Sequence, residues 1–309
     1  MRALDVIEGR ALWSAEQGEV PGCLRALPND SVDLVMTSPP YEEARLYLED
    51  GVNLGVSRDT DEWVAWMVEV CHELRRVCVG LCAIVVEGQT RDYRYSCSPF
   101  LLMAELYRVG FHLRKPPVFR RNGIPGSGGP DYWRNDWEPV VVFHRGGRLP
   151  WSDNTATGHP PKYGKGGEMS YRTLDGTRIN KKRKINKPSS GYKNGDLSYR
   201  ANVSDEVSIA NPGNVINCIV GGGNMGSDLA SDNEAPYPED LVIPFVRCFC
   251  PPDGIVLDPF AGSGTTLAVA RKWGRRAIGF DLRQSQVLLT QRRIREEATT
   301  MFDTIAEES

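Results

Sequence analysis

Gly254-Ile255-Val256-Leu257-Asp258-Pro259-Phe260-Ala261-Gly262-Ser263-Gly264-Thr265-Thr266 is the stretch whose reading decides the fold. A short, continuous apolar run breaks into a glycine-bearing turn, and a helix-forming segment follows. That order reads as a buried parallel strand ending in a tight strand-to-helix loop. A second run, Val32-Asp33-Leu34-Val35-Met36, ends the same way and leads into Thr37-Ser38-Pro39-Pro40-Tyr41. Both loops therefore leave the carboxyl ends of buried strands, where open α/β sheets bind their ligands.

Working outward, strands and helices alternate. Residues 20–28 read as a short helix with Cys23, Leu24 and Leu27 inward. Asp59-Thr60-Asp61-Glu62 caps an amphipathic helix through Trp63, Trp66, Val70 and Leu74, which leads to an apolar strand from Leu81 to Val86. A helix from Pro99 to Arg108 precedes an extended segment from Phe111 to Arg120, and Glu138 to His144 reads as a strand. Pro238-Glu239-Asp240 opens a helix over Leu241 to Cys250. Strand Ile255 to Leu257, helix Thr265 to Trp273 and strand Arg276 to Phe280 form a βαβ unit ending on Asp281, and an amphipathic helix covers Ser285 to Glu297. The pattern predicts an α/β fold with a mostly parallel sheet.

Composition narrows the function classes. With 309 residues, 40% hydrophobic and 25% charged, the chain can bury one large core with an insertion. No apolar run reaches membrane-spanning length, and Asp5 and Glu8 fall where a signal peptide would be apolar, so a cytoplasmic location is expected. The eight cysteines form no paired knuckle and only four histidines accompany them, which predicts buried free thiols and no metal. A net charge of −3 confines any nucleic-acid surface to a local patch.

The two loops carry the chemistry. Gly262 and Gly264 let the backbone approach a ligand closely. No Gly-Lys-Ser/Thr follows, so this is not a phosphate loop, and Leu267 stands where a dinucleotide fingerprint would have its third glycine. Asp281 is placed to hold ribose hydroxyls, so an adenosine-type ligand without phosphates fits. In the other loop, Ser38 Oγ and the Pro39 carbonyl can accept hydrogens from an exocyclic amine whose lone pair is delocalised into its ring. Pro39 and Pro40 stiffen that backbone, and Tyr41 offers a flat face for an extruded base.

These segments resemble the AdoMet-binding and catalytic motifs of amino-methylating DNA methyltransferases. With the catalytic motif first and the cofactor motif last, the order is that of the circularly permuted beta class. The resemblance covers roughly residues 20–145 and 214–297, including the strand Trp137 to Gly146 and the segment Glu234 to Glu239. It implies a Rossmann-like, mostly parallel seven-stranded sheet with an inserted target-recognition region. The expected parts are a catalytic half over 1–145, the insertion over 146–213 and an AdoMet-binding half over 214–309. It assigns catalysis to Ser38, Pro39, Pro40 and Tyr41. Binding of S-adenosylmethionine falls to Thr37, Pro238, Asp258, Pro259, Phe260, Gly262, Ser263, Gly264, Thr265 and Asp281. In the family, Asp258 faces the methionine amino group.

A serine in the first motif position usually accompanies methylation of cytosine N4, with adenine N6 as the alternative. Methylation of RNA or a protein amide, or an inactive DNA-binding module, are the remoter readings. Cytosine C5 chemistry needs a Pro-Cys loop, and no cysteine here directly follows a proline. The expected substrate is duplex DNA whose target base flips out, with transfer direct and in line. A restriction endonuclease is an expected companion, and both monomer and homodimer remain open.

From Gly146 to about Gly213 the chain turns polar, rich in Gly, Asn, Ser and Lys. Lys162, Lys165, Lys187 and Lys193 and the run Lys181-Lys182-Arg183-Lys184 can neutralise phosphates, with Tyr163, Tyr171, Tyr192 and Tyr199 interleaved. Arg120 and Arg121 open a glycine-rich loop expected near DNA, and the segment from Glu42 to Asp59 is expected to close over it.

Overall fold

The computed structural model describes residues 2–42, 48–49, 52–53, 58–123, 131, 133–160, 168–182, 209–221, 225–232 and 236–307. They fall into two compact units, one of Met1–Ala156 with Gly213–Ser309 and a smaller one of Thr157–Pro212. The larger unit begins with α1 (Ala3–Ile7), β1 (Trp13–Gln17), α2 (Gly22–Arg25), β2 (Val32–Thr37), α3 (Thr60–Val77) and β3 (Cys78–Val85). It continues with α4 (Ser98–Arg108), β4 (His112–Leu113), β5 (Val118–Asn122), β6 (Trp137–His144) and β7 (Val215–Ile219). It ends with α5 (Glu239–Phe249), β8 (Ile255–Asp258), α6 (Thr265–Lys272), β9 (Arg276–Asp281) and α7 (Gln284–Glu307).

Among the described residues these strands form one nine-stranded sheet in the order β1-β9-β8-β2-β3-β6-β5-β7, with β4 paired to β6, and the short pairs Leu48–Glu49 with Val52–Asn53 and Thr90–Arg91 with Arg94–Tyr95 stand apart from it. From β1 to β3 every pairing is parallel; β6 runs antiparallel to β3, β4 and β5. The sheet thus exceeds the expected seven strands. The run from β1 to β5 supplies that number, β7 adds itself parallel to β5, and the two-residue β4 docks beside β6.

Both faces of the sheet are covered, which explains the unbroken apolar runs. Val35, Ile84, Val141 and Phe143 pack with Trp63, Met67, Val70 and Leu74 of α3 on one side. Leu34, Met36, Ala83, Val140 and Val142 pack with Leu241, Val242, Phe245 and Val246 of α5 on the other. Successive strand side chains point to opposite layers, so a strand buried on both sides needs an apolar residue at nearly every position. Each fully buried Leu, Ile or Val contributes roughly 1.5–3 kcal/mol of transfer free energy.

Local signals set the element ends. Asp59 caps α3 by accepting from Glu62 N at 2.8 Å while Glu62 accepts from Asp59 N at 3.3 Å, a reciprocal capping box. β3 starts at Cys78 rather than Leu81, because α3 passes into it without a loop, and α2 shortens to four residues. The N-terminal pair α1 and β1 carries little apolar periodicity and forms only because β1 finds a parallel partner in β9.

The smaller unit is described by itself. Strands Glu168–Arg172 and Arg178–Lys182 pair antiparallel about a turn in which Thr173 N donates to Thr177 O at 2.9 Å. The polar sequence here predicts no hairpin, and the one that forms rests on backbone pairing and turn chemistry rather than on an apolar face. Among the described residues, no helix is long and apolar enough to cross a membrane.

Candidate active site

The two loops meet at the carboxyl ends of the adjacent strands β2 and β8. Thr37 Oγ1 donates to Asp258 Oδ1 at 2.6 Å, joining residues 221 positions apart, and both are fully buried. Tyr237 OH donates to Asp258 Oδ2 at 2.9 Å, and Phe260 N donates to Oδ1 at 3.1 Å. Thr266 Oγ1 ties α6 back to β2 through Met36 O at 3.2 Å. Burial raises the Asp258 carboxyl above the usual aspartate value, while the surrounding hydroxyl and amide donors pull it down. Burial also pushes the Tyr237 phenol well up, and the neighbouring Asp258 adds to the shift.

The glycine turn is shaped by its backbone. Gly262 and Gly264 have φ of 51° and 77°, the left-handed region that side chains rarely adopt. A Cβ on Gly264 would stand 2.8 Å from Thr290 Cγ2, and Thr290 itself is fully buried and donates to Gly262 O at 2.8 Å. Gly262 N donates to Asp281 Oδ2 at 2.9 Å, and Arg283 N donates to Oδ1 at 2.9 Å. Asp281 thus sits at the tip of β9 and fixes the turn. Pro238 is the buried N-cap of α5, Ser263 and Thr265 are buried, and the ring of Phe260 lies edge-on to Trp66 at 5.7 Å.

The Ser-Pro-Pro-Tyr loop is held from outside. Trp63 Nε1 donates to Pro40 O at 2.8 Å. Tyr41 OH donates to Glu138 Oε2 at 2.9 Å, and Glu138 Oε1 pairs with the Arg121 guanidinium at 2.9 Å. Ser38 Oγ lies 3.4 Å from Tyr41 OH, long for a hydroxyl pair but aligned with Ser38 as donor. Burial pushes the Tyr41 phenol well above its ordinary value, and the Glu138 charge acts in the same direction. Tyr41 thus stays a neutral donor to Glu138, and its oxygen accepts from Ser38. With its proton directed at Tyr41, Ser38 Oγ keeps its lone pairs to accept.

Several of these residues carried no signal of their own. Trp63 and Glu138 read as helix and strand residues, and Tyr237 only as part of a connecting segment. Arg293, with no exposed side-chain surface, donates to Thr265 Oγ1 at 2.9 Å and to Glu239 and Glu297 at 2.7 and 2.9 Å, bracing α5, α6 and α7 beneath the turn. A buried arginine is invisible in a sequence because arginine is usually a surface residue.

The basic residues expected at DNA divide. Arg121 is tied to Glu138 and donates to Asn135 O at 3.2 Å, whereas Arg120 is more exposed and stands 3.7 Å from Asp136. Lys181 and Lys182 end the hairpin strand Arg178–Lys182, and Tyr171 on its partner is exposed. Arg183, Lys184, Lys162, Lys165, Lys187, Lys193, Tyr163, Tyr192 and Tyr199 lie outside the described residues, as does most of Glu42 to Asp59. All eight cysteines are free, and among the described residues no cluster of three or more His, Cys, Asp or Glu could hold a metal.

A Rossmann-like sheet closed by an antiparallel strand, with a carboxylate-anchored glycine turn beside a Ser-Pro-Pro-Tyr loop, defines the methyltransferase class. The chain belongs to the DNA methylase family of N6 and N4 methyltransferases, whose profile matches residues 32–292. It is 27% identical to the type II methyltransferase M.BglII of Bacillus subtilis over 87% of this chain and 65% of that one. It is 24% identical to the DNA adenine methyltransferase YhdJ of Escherichia coli K12 over 90% and 81%. The chain thus spans about two thirds of M.BglII, and its match to M.ScaI of Streptomyces caespitosus covers 28% of that protein. In fold it is similar to the PvuII cytosine-N4-specific DNA methyltransferase, with a TM-score of 0.63 and 19% identity over 91% and 86% of the two chains. A Thermus thermophilus protein crystallised with S-adenosyl-L-methionine gives a TM-score of 0.54 at 22% identity over 92% and 93%.

Proposed function

We propose that this protein methylates the exocyclic N4 amine of a cytosine extruded from a specific site in duplex DNA. The observation that carries the reading is the 2.6 Å bond from Thr37 to Asp258, which seats the amine-facing loop directly against the cofactor turn. S-adenosylmethionine is the methyl donor; when bound it supplies an activated methyl group on a sulfonium. The buried Asp258, the Gly262-Ser263-Gly264 turn and Asp281 fit an adenosine ligand with a cationic amino acid end. Asp258 is an anion for the methionine ammonium, the turn has room for close backbone approach, and Asp281 is a carboxylate at ribose position. Thr37, Pro238, Pro259, Phe260 and Thr265 complete the wall.

The residues of the chain do the rest by position. Ser38 Oγ and the Pro39 carbonyl accept the two amine hydrogens, which draws the nitrogen toward a tetrahedral shape and frees its lone pair. Pro40, pinned by Trp63, keeps the Pro39 carbonyl facing the amine. Tyr41 stacks on the base while its hydroxyl stays anchored to Glu138. Residues 146–213 form the target-recognition region between a catalytic half over 1–145 and a cofactor half over 214–309. Lys181, Lys182, Arg183, Lys184 and Arg120 meet phosphates there, and a restriction endonuclease of the same specificity is the natural companion.

The resemblance to YhdJ keeps adenine N6 as a second reading, since a serine can polarise either amine. Incubating DNA with the protein and AdoMet, then identifying the modified nucleoside by mass spectrometry, separates the two. N4-methylcytosine is expected, and N6-methyladenine alone overturns the cytosine assignment. Ser38→Ala is expected to abolish product while leaving AdoMet binding intact.

A further inference from the structure

The two most exposed aromatic rings among the described residues are Trp133, 97% exposed, and Tyr93, 87% exposed. Both belong to connections at the carboxyl edge of the sheet, where Ser38 lies. Tyr93 is in the short hairpin that follows β3, and Trp133 precedes β6, which runs antiparallel to β3 and so begins at that edge. A single exposed apolar side chain is ordinary. Trp133 differs because its backbone is tied to the catalytic loop.

The tie is a path of hydrogen bonds and one ion pair. Tyr41 OH donates to Glu138 Oε2 at 2.9 Å, and Glu138 Oε1 pairs with Arg121 at 2.9 Å. Arg121 then donates from Nη2 to Asn135 O at 3.2 Å and from its backbone N to Asp136 O at 2.7 Å. Trp137 N donates to Asn135 Oδ1 at 3.3 Å. Trp133 is two residues before Asn135, within roughly 7 Å of chain. The same Glu138 and Arg121 that hold Tyr41 thus hold the backbone next to the exposed indole. In the sheet order, β2 has β8 and its cofactor turn on one side and β3 then β6 on the other, so the cofactor and Trp133 flank the catalytic loop from opposite sides.

The chemistry of the ring and its surroundings selects the partner. Arg134 and Asn135 beside Trp133 are exposed and polar, unlike the apolar centre of a protein interface. Arg120 stands across from Trp137 in the β5 and β6 register, with 53% of its side chain exposed, and is a cation for phosphates. A flat ring among polar and cationic groups suits nucleic acid, where it stacks on a base face whatever the sequence. In an intact duplex each base face is covered by its neighbour. Extrusion of one base uncovers two faces and leaves a gap between them.

We propose that Trp133 stacks on the base faces uncovered when the target base leaves the duplex, and so holds the gap open. The proposal rests on the reading of duplex DNA with an extruded base, and it holds for a cytosine or an adenine target alike.

Modified-base sequencing of DNA from cells expressing the chain gives the target sequence. Binding is then measured by fluorescence anisotropy, with S-adenosylhomocysteine present, on a duplex of that sequence and on a scrambled one. Trp133→Ala is expected to weaken the target duplex about tenfold and to leave the scrambled duplex, which opens no gap, within about twofold. Trp133→Phe keeps a ring and should stay within about threefold of the wild type on the target duplex. With 2-aminopurine at the target position, the rise in emission that marks extrusion should shrink in Trp133→Ala. Nearly all of this side chain is in water, so both variants should match the wild type in denaturant unfolding. Equal losses on the two duplexes, no loss on either, or a loss as large for Trp133→Phe as for Trp133→Ala overturns the proposal while methylation by the wild type stands. Unchanged DNA binding with a dimer split to monomers by Trp133→Ala in light scattering assigns the ring to a second copy and also overturns it. A wild type that transfers no tritium from labelled AdoMet to duplex DNA overturns it together with the reading on which it rests.

Discussion

The cofactor turn and the catalytic loop sit side by side yet differ in how much of their shape is their own. The turn takes much of its shape from its own residues, with left-handed glycines at 262 and 264, an amide of Phe260 folding back on Asp258, and Gly264 N bonded to Ala261 O at 2.8 Å, while Asp281 and Thr290 anchor it from outside. The Ser-Pro-Pro-Tyr loop contains no glycine and leans on distant elements, on Trp63 of α3 and on Glu138 and Arg121 of β6 and β5. A loop that folds on itself can be recognised as a motif. A loop that is held from outside is recognised just as easily, but its working geometry depends on residues no motif contains.

That contrast predicts which property each change touches. The largest effect belongs to Asp258→Ala, which removes a buried anion and strands the hydroxyls of Thr37 and Tyr237. AdoMet affinity should fall by about 3 kcal/mol, roughly a hundredfold, in a calorimetric titration. Gly264→Ala forces a side chain into left-handed backbone and into Thr290, and should cost about 2–3 kcal/mol of stability in denaturant unfolding. Glu138→Gln keeps an acceptor for Tyr41 but removes the charged partner of Arg121. A fall in kcat of about tenfold with unchanged AdoMet affinity is expected, worth roughly 1.4 kcal/mol. Equal losses in kcat and AdoMet affinity for that variant would break the distinction between the two loops. Trp63→Phe, losing one bond to Pro40 O, should cost about 1 kcal/mol and act on turnover rather than on cofactor binding.

A pH series sharpens the same comparison. Burial raises the Asp258 carboxyl in the native protein, so its ionisation is opposed by folding. Its contribution to stability is therefore fully present below the unfolded aspartate value and lost as pH rises through the raised native one. Cofactor binding has the opposite sign because it needs the ionised form. AdoMet affinity should weaken as pH falls, beginning above the range in which an ordinary aspartate titrates, and Asp258→Asn should flatten that dependence.

Much of the larger unit was legible in order. β2, β3, β6 and β8 are covered on both faces and therefore spell themselves in Val, Leu, Ile and Ala, while α3 announces its start through Asp59 and Glu62. α1 and β1 were not legible, since Trp13-Ser14-Ala15-Glu16-Gln17 becomes a strand only by pairing with β9. The hairpin Glu168–Arg172 with Arg178–Lys182 escaped for a related reason, because a polar ribbon leaves no alternating pattern.

The sequence by itself determined the two loops, their order along the chain and the chemistry available to each, because glycine, proline, serine and aspartate act there through local backbone and side-chain properties. Only the tertiary structure decided that Thr37 reaches Asp258, that Glu138 stands behind Tyr41 and that Glu42 is buried without a partner. The first two of those facts join residues 221 and 97 positions apart. They depend on which strands become neighbours, a property of the whole sheet that no local segment encodes.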